Sequence, residues 1–87
     1  MSQSTLEICY AAEVLRTLRR LNKRDLIRRK IEELAADPGS LASNITRLQR
    51  RPESRLRVQD WRVIFRIEGK ILWIDEVLPR GSAYEVK

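Results

Sequence analysis

The stretch from Arg55 to Phe65, RLRVQDWRVIF, does more than any other to limit how this chain can fold. Apolar and charged residues alternate through RLRV and again through WRVIF, and a period of two is the period of a β-strand. Two such runs separated by the two residues Gln59 and Asp60 make a β-hairpin. A two-residue turn sets Val58 opposite Trp61, Arg57 opposite Arg62, and Arg55 opposite Ile64. One face then carries Leu56, Val58, Trp61, Val63, Phe65 and Ile67, an apolar surface fit to receive helices. The other carries Arg55, Arg57, Arg62 and Arg66 around Ile64. Arginines directly opposite one another are unfavourable by a few tenths to about 1 kcal/mol relative to a neutral pair. Two accounts of that face follow. It is a solvated surface, with Asp75 or Glu76 on the next strand neutralising part of it; or it is an anion site in which converging guanidinium groups hold phosphate. The alternation leaves both open, and a one-residue change of turn length would undo the sorting altogether.

The remaining elements follow from changes of period. TLEICY, residues 5–10, reads as a short strand. Val14, Leu15, Leu18 and Leu21 recur at spacings of three and four, so 11–21 is an amphipathic helix with Arg16, Arg19 and Arg20 to one side. Asn22, with Asp25 three residues on, has the form of an N-cap and first-turn acid opening a second helix through Leu26, Ile27, Ile31, Leu34 and Ala35. The sequence DPGS at 37–40 stops it. Residues 38–52, anchored by Leu41, Ile45 and Leu48, read as a surface loop with one helical turn. Three strands follow at about 53–59, 61–68 and 70–78. The expected fold is α+β with the order β-α-α-β-β-β: an antiparallel β-sheet made of the N-terminal strand plus a C-terminal three-stranded meander, with an N-terminal helical hairpin packed on one face. Cys9 and Trp61 are expected in the core, and Trp73 near the arginine face.

Eighty-seven residues suffice for one small domain, expected to span 1–87. The formal net charge is +6, and 14 of the 18 Lys and Arg residues are arginine. Arginine's planar fork matches phosphate oxygens two at a time, so nucleic acid is the first partner to consider and an acidic protein the second. The basic run from Arg16 to Lys30 reads first as a solvated helix face and second as a contact for ribosomal RNA backbone. There is no histidine, which excludes a Ser-His triad and any zinc site with a histidine ligand. The single cysteine excludes an intramolecular disulfide, and no apolar run is long enough to span a bilayer. A cytoplasmic protein without membrane contact is expected.

From Leu48 onward the chain runs L-QRRPES-RLRVQDWRVIF, then ILWIDEVLPR, then GSAY, and IEELAADP precedes it. This pattern resembles the RelE-type toxins of bacterial toxin–antitoxin pairs, within the RelE/ParE superfamily, over nearly the whole chain. The resemblance implies a ribosome-dependent endoribonuclease that cuts mRNA in the ribosomal A site. The RNA's own 2′-hydroxyl attacks the adjacent phosphate, leaving a 2′,3′-cyclic phosphate and a 5′-hydroxyl. No metal or organic cofactor is implied, because the substrate supplies the nucleophile.

Carried onto matching positions, Arg62 and Arg80 would neutralise the phosphate and its developing charge, and Tyr84 would stack on a base or take part in proton transfer. Arg55 and Arg57 would bind and orient the RNA, with Arg66 beside them on the same strand face. Partners implied are the mRNA, the ribosome and a cognate antitoxin protein. The alternative within the superfamily is the ParE branch, which inhibits DNA gyrase by protein–protein binding; a relative that has lost its activity is a third class. The chain departs from the RelE pattern at Gln59, where glycine is usual, and at Leu78-Pro79, where Gly-His often stands.

Overall fold

The computed structural model describes residues 5–80. Its elements are β1 (Glu7–Tyr10), α1 (Ala12–Arg19), α2 (Arg24–Ala36), a 3-10 segment (Pro38–Asn44), β2 (Ile45–Arg47), β3 (Ser54–Val58), β4 (Trp61–Glu68) and β5 (Ile71–Pro79). The strands form one five-stranded sheet in the order β1-β5-β4-β3-β2. Helix α1 packs over β5, and α2 over β1 and β3.

The expected α+β class and element order are present, with three corrections. The sheet is mixed, because β1 runs parallel to β5 while the other pairs are antiparallel. Both helices and three further strands lie between β1 and β5, ample chain for the crossover that parallel neighbours need. The stretch read as a loop holds β2 and the 3-10 segment. β2 is three residues long, too short to show a period, and it is fixed by Ile45 lying opposite Leu56 and packing on the core. Asn22 does not cap α2: the N-cap position is Lys23, with no side-chain cap bond. Arg24 Nη1 instead donates to Arg19 O at 3.0 Å, tying the start of α2 to the end of α1.

The core lies between the helices and one sheet face. It joins Val14 and Leu18 of α1 and Ile27, Ile31, Leu34 and Ala35 of α2 to Leu56, Val58, Val63, Phe65, Leu72, Ile74 and Val77. Leu15 and Ile67, both expected inside, are 39% and 42% exposed. Eight-residue α1 turns only its Val14–Leu18 stripe inward, and Ile67 lies beside the β4–β5 turn at the end of the sheet. Trp61 is half-buried against the core, whereas Cys9 is half-exposed and pairs in register with Trp73 on the face away from the helices.

On β5, Ile74 and Val77 are both buried although an odd spacing should put them on opposite faces. A bulge resolves this. Ile64 pairs with Glu76 and Phe65 with Ile74, leaving Asp75 as the extra residue and resetting the alternation.

Candidate anion site at the β3–β4 turn

The hairpin closes in the two-residue register. Val58 pairs with Trp61, Leu56 with Val63, Arg57 with Arg62, and Arg55 with Ile64. Arg57 and Arg62 therefore share the face turned away from the helices. The turn requires a left-handed residue, and Gln59 supplies it with φ 53°. At the other hairpin turn Gly69 adopts a similar φ of 61°, at no steric cost because it has no Cβ. For Gln59 the conformation costs about 1–2 kcal/mol, which explains why glycine suits that position.

Three hydrogen bonds hold the turn in place. Arg62 Nη1 donates to Gln59 O at 2.8 Å and to Trp61 O at 2.9 Å, and the Arg80 backbone N–H donates to Asp60 O at 2.8 Å. Arg62 is 4% exposed, the one charged side chain in the fully buried class among the described residues. Its burial was not legible from alternation, which marks a face but not how deeply a side chain lies in it. Part of its donor capacity serves the turn, so Arg62 is a structural as well as a site residue.

Around this turn lies an open basin of about 560 Å³ lined by Asn44, Arg57, Gln59, Asp60, Arg62 and Arg80. Three of the expected arginines thus meet at one place: Arg57 from the end of β3, Arg62 from the start of β4, and Arg80 from just beyond β5. Arg55 is half-buried further along β3 on the same face, between Thr46 and Ile64 in register. Tyr84 lies outside the described residues. Asn44 and Asp60 were missed at the sequence level. Asn44 ends an aperiodic segment, and Asp60 reads as an ordinary turn residue.

Arg66 is not brought to the basin. It pairs with Asp75 at 3.1 Å and with Glu68 at 2.6 Å, and its guanidinium lies 5.1 Å from the centroid of the Trp73 ring. The hydrogen bond to Glu68, opposed by desolvation and reinforced by Asp75, raises its pKa above the ordinary arginine value. Arg51 adds to this network, pairing with Glu53 at 3.1 Å and Glu76 at 3.7 Å, while Glu53 also contacts Asp75. The network reaches from the segment before β3 to β5, and Ile64, between Arg55 and Glu76 in register, is only 2% exposed. Burial raises the pKa of the Asp75 carboxyl, the Arg66 hydrogen bond opposes the rise, and the Glu53 contact adds to it. Among the described residues the arginine face is therefore divided: charge-balanced around Arg66, and rich in arginine around the turn. Among the described residues, no three His, Cys, Asp or Glu side chains gather as a metal site, and no helix is long and apolar enough to cross a membrane.

Residues 9–84 match the family model for the ParE toxin of type II toxin-antitoxin system, parDE, and the chain belongs to that family. It is a toxin of the RelE/ParE superfamily. Solved structures of the same fold include the archaeal RelE–RelB complex from Pyrococcus horikoshii OT3, at 22% identity and TM-score 0.76, covering 88% of this chain and 97% of that one. The RelB–RelE antitoxin–toxin complex from Methanococcus jannaschii matches at 21% identity and TM-score 0.68, covering 90% and 96%. The RelBE2 toxin–antitoxin complex from Mycobacterium tuberculosis matches at 19% and 0.67, covering 87% and 99%. No curated protein sequence matches the chain.

Proposed function

We propose that this toxin is an endoribonuclease that cleaves mRNA on the ribosome through attack of the RNA 2′-hydroxyl on the adjacent phosphate. The observation that carries this reading is the convergence of Arg57, Arg62 and Arg80 on one basin around a turn pinned from both sides. A phosphodiester gains negative charge as it passes through a five-coordinate state, and cations held in place beforehand stabilise that charge without reorganising. Arg57 and Arg80 are exposed and suited to contact phosphate oxygens, and Arg55 continues the basic track along β3. Tyr84 keeps the base-stacking or proton-transfer role that the family pattern implies. Arg66, held by Asp75 and Glu68, serves the sheet more than the RNA. A cognate antitoxin is the expected protein partner, supported by the RelE–RelB complexes among the structures of this fold.

The match to the ParE family model favours a second reading, inhibition of DNA gyrase by protein–protein binding. One pair of assays separates the two. Purified toxin added to ribosomes programmed with a reporter mRNA should give primer-extension stops within the translated region and leave gyrase supercoiling unchanged. Inhibited supercoiling with intact mRNA is the outcome that selects the second reading.

A further inference from the structure

Cleavage by 2′-hydroxyl attack requires a group that accepts the hydroxyl proton, and the chain has no histidine to do so. The basin's lining narrows the choice. Arg57, Arg62 and Arg80 are permanent cations, and the amides of Asn44 and Gln59 do not take up a proton near neutral pH. That leaves Asp60 as the single Brønsted base among the described residues lining the basin. Four other acids on this side of the sheet are engaged: Glu53 and Glu76 with Arg51, and Asp75 and Glu68 with Arg66. Among the described residues, no cation lies within ion-pairing distance of the Asp60 carboxylate. Asp60 is also unusually well positioned for a turn residue. Its preceding neighbour is held left-handed at φ 53°, its own carbonyl is bound by Arg80 at 2.8 Å, and Arg62 clasps the carbonyls of Gln59 and Trp61 on either side. Backbone conformations of this kind persist where the surroundings over-determine them, and they cluster at functional sites.

Resting on the nuclease reading above, we propose that Asp60 is the general base of the reaction. Its carboxylate takes the 2′-hydroxyl proton as O2′ bonds to phosphorus. The bond from phosphorus to O5′ breaks, and the departing 5′-oxygen takes a proton from solvent. The arginines stabilise the charge on the non-bridging oxygens throughout.

Asp60→Asn tests the assignment, because it removes the base while keeping side-chain size and the backbone carbonyl that Arg80 uses. Single-turnover cleavage on programmed ribosomes should slow by about 10²-fold or more, the acid limb of the pH–rate profile should flatten, and ribosome binding should be unchanged. Asp60→Glu should recover part of the rate with the acid limb restored, and added formate should partly rescue Asp60→Ala. Cleavage by the wild type and Asp60→Asn at one rate with one pH profile overturns this proposal alone. So does a slower Asp60→Asn enzyme that keeps the wild-type acid limb and is not helped by formate in the alanine variant. If the wild type cleaves nothing, the nuclease reading falls and this proposal falls with it.

Discussion

Arg57 and Arg62 face one another across the hairpin, yet they make different demands on the protein. Arg62 is buried, with Nη1 on two backbone carbonyls, so Arg62→Ala should destabilise the fold. Charge-assisted hydrogen bonds of this kind are worth about 1.5–3 kcal/mol. Arg57 is exposed, and removing it relieves a like-charge pair, so Arg57→Ala should leave stability unchanged or raise it by a few tenths of a kcal/mol. Urea unfolding of the two variants checks this contrast, and equal losses would contradict it. Gln59→Gly should stabilise the protein by about 1 kcal/mol, the left-handed strain relieved less the entropy that glycine adds to the unfolded chain. A lower urea midpoint for that variant would mean the turn is not strained as described. At this scale the sequence was informative about pairing and silent about depth. The alternation gave the partners of Arg55 and Arg57 correctly, but the same pattern could not show that Arg62 is buried while Arg57 is exposed.

Among the elements, the long amphipathic ones were the legible ones. α2 repeats its apolar spacing over enough residues to define a face, and the β3–β4 hairpin repeats its alternation on both sides of the turn. β2 is too short to repeat anything, and the parallel placement of β1 depends on where the chain returns, which no local pattern records. The β5 bulge was hidden for a related reason: the burial of both Ile74 and Val77 breaks strand alternation until Asp75 is taken out of the count. That extra residue carries a carboxyl whose folded pKa is raised, first by burial. The folded state therefore holds the Asp75 proton more tightly than the unfolded chain does. The group's contribution to stability is present in full below its unfolded pKa and is lost as pH rises through the folded one. NMR titration of the Asp75 carboxyl carbon should give a midpoint above 3.8, and Asp75→Asn should remove this part of the acid-side pH dependence of stability. A midpoint at or below 3.8 would contradict the burial described here.

At the scale of the whole molecule, one sheet face builds the core and the other is divided between an ion network and a cationic basin. The chain's arginine excess is thus not a uniform coat. Arg51 and Arg66 are matched by acids, and Arg57, Arg62 and Arg80 gather from three separate places in the chain where the sheet ends. That assembly was legible from the family pattern, which marks the same arginines. Asn44 and Asp60 join it only through the fold, because neither belongs to a repeating pattern. The proposed action of the basin on the phosphodiester is tested most directly by the rate of mRNA cleavage on programmed ribosomes. Arg80→Ala leaves the backbone bond to Asp60 in place and should cut the single-turnover rate by about 10²–10³-fold, the usual cost of losing one preorganised charge-stabilising donor. The Arg55→Ala effect should be smaller and fall mainly on substrate binding. Cleavage by Arg80→Ala at the wild-type rate would contradict the account.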